Sequence, residues 1–329
     1  MVEAASPHTF STQGTRLFAW SIVLLTGAYL FNCYLTFWQN WPGVLPLFFG
    51  NAPVAVLSWL QLAIYSAAIL LAALYVMRFR DRPLRQDSEV MNGIVTYVIR
   101  AAFYSVLLIG IVDMVISFLR VENFLPGIVG KDLSEQIGRP VFRGPYIHMP
   151  LIVVSMIIAA FNKGLGFHWL ALLVVLAELQ IVLSRFIFAY EQAFMGDLVR
   201  FWYAALFLFA SAYTLLEDGH VRVDVLYAGF SNKLRGFINA WGTLVLGIVF
   251  CWVVLALGMW TKSSIITTSL RTFEVSQSGF GMYVKYLMAG FLGIFAATMC
   301  IQFSSYLLSS LADYRGDPGA REPAGEVMH

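Results

Sequence analysis

Charge is what this chain of 329 residues has least of: 12% of its residues are Asp, Glu, Lys or Arg, where soluble domains carry about a quarter. The net charge of +2 is too small for a nucleic-acid surface, and no basic stripe runs beside exposed aromatics, so nucleic acid is excluded as a partner. Cysteine is equally scarce. Cys33, Cys251 and Cys300 lie inside apolar stretches without CxxC spacing, which excludes a disulfide framework and a thiolate metal site and makes them small core residues. The five histidines do not supply facing axial ligands for haem: His8 and His329 are in the tails, His220 is in a loop, and His148 and His168 fall near helix ends expected on opposite sides of a membrane. There is no HExxH, no GxSxG and no glycine loop with Walker spacing, although "GIVGKDLS" contains Gly-Lys. No enzymatic activity, cofactor or metal is therefore expected.

What is present is apolar. Hydrophobic residues make up 59% of the chain and aromatics 16%, and the mean hydropathy is +0.74. These values describe a polytopic membrane protein. Crossing a hydrocarbon core of about 30 Å takes about 20 helical residues. That filter selects 17–38, 54–77, 94–119, 146–161, 168–189, 198–216, 236–260 and 280–312, of which the fourth is short. No alternating barrel pattern occurs, so the expected fold class is all-α, an integral membrane protein of about eight transmembrane helices. The first run is too long for a signal h-region and lacks an A-x-A site, so it reads as a retained helix.

Basic residues set the orientation. With the N-terminus in the cytoplasm, the inner segments hold Arg16, the four arginines of "RFRDRPLRQD" and its approach, Lys163, Arg222, Lys233, Arg235, Arg315 and Arg321. They outnumber the outer set of Arg120, Lys131, Arg139, Arg143, Lys262 and Arg271, so both termini are expected in the cytoplasm. The polar, Gly/Pro-punctuated stretch from 120 to 145 suggests a boundary. The expected organisation is a region 1–145 with three helices and a polar connection, a membrane region 146–315 with the short fourth helix and a four-helix core, and a disordered cytoplasmic tail 316–329.

Ionisable groups at membrane depth are the default functional candidates. Asp113 and Arg100 share the third span but differ by about 220° around it, so they cannot pair. Asp113 is expected to contact another helix or subunit, and Arg100 to snorkel. Glu178 and Arg185, in "ELQIVLSR", are two turns apart on nearly one face. Together with Gln180 and Ser184 they form a polar seam, either a contact with another subunit or a clamp between helices of this chain.

The densest run of charge, "LLEDGHVRVDVLYAGFSNKLR" at 215–235, lies between two long apolar segments. Val223, Leu226, Tyr227 and Phe230 follow i, i+3, i+4, i+7, the spacing of a short amphipathic helix on the cytoplasmic surface, and Ser231 fits the cap of the next helix. Alternatively the run is a charged loop that serves solvation and topology alone. The larger stretch "RFIFAYEQAFMGDLVRFWYAALFLFASAYTLLEDGHVRVDVLYAGFSNKLR" resembles the core of the small membrane subunit, DctQ-like, of tripartite ATP-independent periplasmic (TRAP) transporters. The resemblance rests on Arg185 closing one helix, Asp197 and Arg200 opening the next, and then Gly219, His220, Arg222, Val223, Asp224 and Leu226. It covers roughly residues 165–315, and where the family usually has two acidic residues this chain has Gly196 and Asp197.

The resemblance implies a non-enzymatic transport component in a bacterial inner membrane. A periplasmic substrate-binding protein would deliver an organic acid, a large membrane subunit would carry substrate and sodium sites and move as an elevator, and this chain would brace its scaffold. The named motif residues would then serve subunit assembly. Two other readings stay open: a stand-alone secondary transporter using Asp113 and Glu178, and a membrane cytochrome subunit.

Overall fold

The computed structural model describes residues 9–49, 55–163, 167–216, 227–276 and 281–319. Among these every regular element is helical; besides single turns at Pro46–Phe49 and Tyr227–Gly229 they are α1 (Thr9–Phe37), α2 (Val56–Arg78), α3 (Leu84–Val121), the short α4 (Leu125–Val129) and α5 (Lys131–Ile137), α6 (Pro140–Phe161), α7 (Phe167–Ile187), α8 (Ala193–Leu216), α9 (Asn232–Met259), α10 (Ile265–Thr272) and α11 (Lys285–Arg315). Eight of them, all but α4, α5 and α10, are long and apolar enough to cross a membrane. The expected all-α polytopic fold is borne out.

The boundaries differ from the hydropathy reading wherever polar side chains find partners on the helix. The third span starts at Leu84 instead of 94, because Leu84 is buried and Asp87 and Ser88 are bonded to other helices. At about 1.5 Å per residue its 38 residues reach roughly 57 Å, well beyond a hydrocarbon core. The fourth span is not short. It begins at Pro140, passes through a π turn at Gly144–His148 and continues to Phe161, so residues 140–145 belong to the helix and not to the connection. Pro145 lacks the N–H that a regular turn needs, which accounts for the looser winding there. The rest of the polar connection is folded as α4 and α5.

The chain divides into two compact units, and each draws on residues from both sides of position 145. One comprises residues 1–94, 219–252 and 299–329. In it α1 packs on α2, with Ala19, Trp20, Val23, Ala72 and Val76 buried together with Leu308 and Ala312 of α11. Arg16 and Asp87 form a fully buried ion pair of 2.6 Å, and Trp20 Nε1 donates to the same carboxylate at 3.1 Å. Ser88 meets Ser305 and Ser309 at 2.7 Å each, and Asn92 Oδ1 accepts from Ser305 and Gln302. Small residues permit these close helix contacts. A Cβ on Gly236 would stand 2.5 Å from the Tyr314 backbone nitrogen, so no larger residue fits without moving a helix. The three cysteines are buried, as expected of small core residues.

The other unit comprises residues 95–218 and 253–298. Its core gathers Phe103, Ile109, Phe201, Trp202, Phe209 and Phe291 from α3, α8 and α11. Trp202 lies over Gly110, where a Cβ would come within 2.4 Å of the indole nitrogen, and its Nε1 donates to the Val106 carbonyl at 3.1 Å. A polar cluster sits beside this aromatic core.

Candidate functional site

The polar cluster forms around the chain segment that enters α11. Asp113, fully buried on α3, accepts from Arg143 Nη1 at 2.8 Å and from His148 Nε2 at 3.1 Å through Oδ1, and from the Tyr283 backbone N–H at 2.8 Å through Oδ2. Arg143 and His148 are also fully buried, both on α6 and five residues apart across its π turn. The wider turn brings both side chains to one carboxylate. Arg143 donates further to Ser117 Oγ at 3.3 Å and, through Nε, to the Ile137 carbonyl at 3.1 Å. Its guanidinium carbon stands 4.3 Å from the Tyr283 ring centroid.

His148 bridges Asp113 and Tyr286, its Nδ1 standing 2.7 Å from the Tyr286 hydroxyl, which can donate or accept. The Asp113 carboxylate and the Arg143 guanidinium offset each other's charge, the arrangement that limits the cost of burying ions. Tyr283 closes it, donating its hydroxyl to the Gly138 carbonyl at 2.8 Å, while Arg120 donates to that same hydroxyl and to the Gly281 carbonyl.

A second carboxylate holds the adjacent amide. Asp197, on the first turns of α8, accepts from the Met282 N–H at 3.0 Å and from Ser276 Oγ at 3.4 Å, with Arg200 Nη1 at 3.5 Å from its other oxygen. Any Cβ at Gly281 would lie 2.0 Å from this carboxylate, so the close approach requires glycine there. Two consecutive backbone amides, at 282 and 283, are thus held by aspartates from α8 and α3. Both carboxylates lie just before the N-terminus of α11, where the helix dipole favours negative charge.

Further polar contacts frame the segment. Glu274 accepts from Lys285 Nζ and Ser269 Oγ, each at 2.6 Å, and its carbonyl accepts from the Tyr286 N–H at 3.0 Å. The bond from Lys285, then that from Ser269, hold its carboxyl below the usual range. Glu122, just past α3, accepts from Tyr190 and Gln192. Burial, and next the neighbouring Glu122, push the Tyr190 hydroxyl up to about 12, so it stays protonated and donates.

Of the residues singled out in the sequence, the structure brings Asp197 and Arg200 together and places Asp113 in the buried cluster. Arg100 does not pair with Asp113; it is half-buried and donates to the Asn162 carbonyl at 3.3 Å. Arg185 lies 3.9 Å from Glu191, both largely exposed. Glu178 is exposed and makes no hydrogen bond or ion pair among the described residues. Gly219, His220, Arg222 and Asp224 lie outside the described residues, as do Val223 and Leu226 of the expected amphipathic turn. Residues 227–229 form a single 3-10 turn, and Ser231 caps α9, accepting from the Leu234 N–H at 3.4 Å. Arg143, His148, Tyr283 and Tyr286 were not singled out. Arg143 falls within the stretch that hydropathy assigns to a connection, and His148 is informative only once α6 begins at Pro140.

Residues 171–312 match the family model for tripartite ATP-independent periplasmic transporters, DctQ component. No curated protein and no solved structure matches the chain. The matched stretch contains Arg185, Asp197, Arg200 and the gripped amides of Met282 and Tyr283, whereas Asp113, Arg143 and His148 precede it. Over residues 171–312, somewhat less than half of its length, this polytopic membrane protein is therefore similar to the DctQ component of TRAP transporters, a transporter component.

Proposed function

We propose that the protein is the small membrane subunit of a TRAP transporter in a bacterial inner membrane, with both termini in the cytoplasm. It braces a large elevator-type permease subunit for sodium-coupled uptake of an organic acid delivered by a periplasmic binding protein. The observation that carries this reading is the DctQ match over residues 171–312. The state of the buried ionisable groups supports it. Asp113 uses both oxygens on fixed donors, and Asp197 holds a backbone amide, so neither presents an open site to an ion. A stand-alone secondary transporter would need such a site near mid-membrane. In this reading the region before residue 146 contributes Asp113 and Arg143 to the brace, and Arg185, Arg200 and the run containing Gly219, His220, Arg222 and Asp224 serve assembly.

Affinity purification from membranes that also contain the large subunit tests the proposal. The large subunit should co-purify with this chain, and the Arg222→Ala/Asp224→Ala variant should recover less of it. Purification of the unmutated chain without any large membrane partner would refute the reading. Equal recovery by the double variant would remove that run from assembly.

A further inference from the structure

Glu178 stands at the midpoint of the described span His168–Ile187. At about 1.5 Å per residue it is roughly 15 Å from either end, farther than a glutamate side chain can snorkel. Only 11% of the most apolar window of α7 is buried inside the chain, against 33% for α8. The buried face of α7 runs through Leu170 and Ala177, and Glu178 lies about 100° round from Ala177, between Val175 and Val182, both exposed. An exposed carboxylate at mid-membrane, without a partner among the described residues, costs free energy that its own helix packing does not offset.

Three surroundings could meet it: lipid, a second copy of this chain, or a different polypeptide. Lipid offers hydrocarbon at that depth and no donor. A second copy related by a two-fold axis along the membrane normal would place equal depths together, so Glu178 would face Glu178. An unlike transmembrane helix can bring a donor to the same depth, and the exposed Val175 and Val182 on either side of Glu178 give it an apolar surface to pack on. We propose that the Glu178 edge of α7 is a docking surface for a transmembrane helix of the large TRAP subunit, which presents a cation or a hydrogen-bond donor to Glu178 at mid-membrane. This inference rests on the proposed function and assigns the contact to one edge of one helix.

The test uses the full chain co-expressed with the large subunit. Glu178→Leu should recover roughly tenfold less large subunit, as expected when one interhelical polar contact in a membrane is removed. Glu178→Gln, which keeps hydrogen-bonding capacity, should fall between. The Leu variant should unfold in detergent at a temperature no lower than the unmutated chain, since it only replaces an exposed carboxylate. A photo-crosslinking side chain at Val182 should attach to the large subunit. Undiminished recovery by Glu178→Leu, or crosslinks at Val182 to a second copy or to lipid alone, would overturn the docking surface while leaving the proposed function intact. If the unmutated chain recovers no large subunit, the proposed function fails and the docking surface with it.

Discussion

Asp113 shows how a single buried residue is committed. Its two oxygens accept from Arg143, His148 and the Tyr283 amide, so each proton donor around it depends on its charge. Asp113→Ala would leave the Arg143 guanidinium buried without its counter-ion, at a cost of about 3–5 kcal/mol. Thermal unfolding in detergent should show a clear drop for that variant. The Asp113→Leu/Arg143→Met double variant should lose less than the sum of the two single losses, because no unpaired charge remains. Strict additivity would mean that the pair is not coupled. The sequence identifies Asp113 as costly within its span, but not its partners. Arg143 and His148 are 30 and 35 residues away, and no local periodicity links positions so far apart.

At the scale of elements, the eight spans are legible because apolar length is a property of each segment alone. Their ends are less so. Hydropathy breaks α3 before Ile94 because Arg85, Asp87 and Ser88 are polar, but Asp87 pairs with Arg16 and Ser88 with serines of α11, so the helix continues. Such compensation depends on a neighbouring helix and is invisible to a sliding window. The connection from α10 to α11 can be tested by pH. The Glu274 carboxyl titrates below its ordinary value, held down chiefly by the bond from Lys285. Its contribution is therefore fully present above the unfolded pKa of about 4.3 and is lost as pH falls through the lower folded value. Hydrogen exchange at the Tyr286 amide, corrected for the intrinsic rate, should lose protection over that acidic range. Glu274→Gln should flatten the dependence, and added salt should weaken it because both side chains are partly exposed. A profile identical in the variant would remove Glu274 as its source.

For the molecule as a whole, composition alone indicates a membrane protein, and Arg185, Asp197 and Arg200 together with the run "GHVRVDVL" suggest the family whose model matches 171–312. The contribution of the N-terminal region was not legible. It depends on Asp113, Arg143 and His148 meeting the segment before α11, a contact between distant parts of the chain. The proposed function requires that this chain support transport without performing it. Sodium-driven uptake of organic acids into proteoliposomes tests this most directly, comparing this chain alone with this chain plus the large subunit, each supplied with the binding protein. No uptake is expected from the chain alone, and sodium-dependent uptake is expected when both membrane subunits are present. Uptake by the chain alone would contradict it.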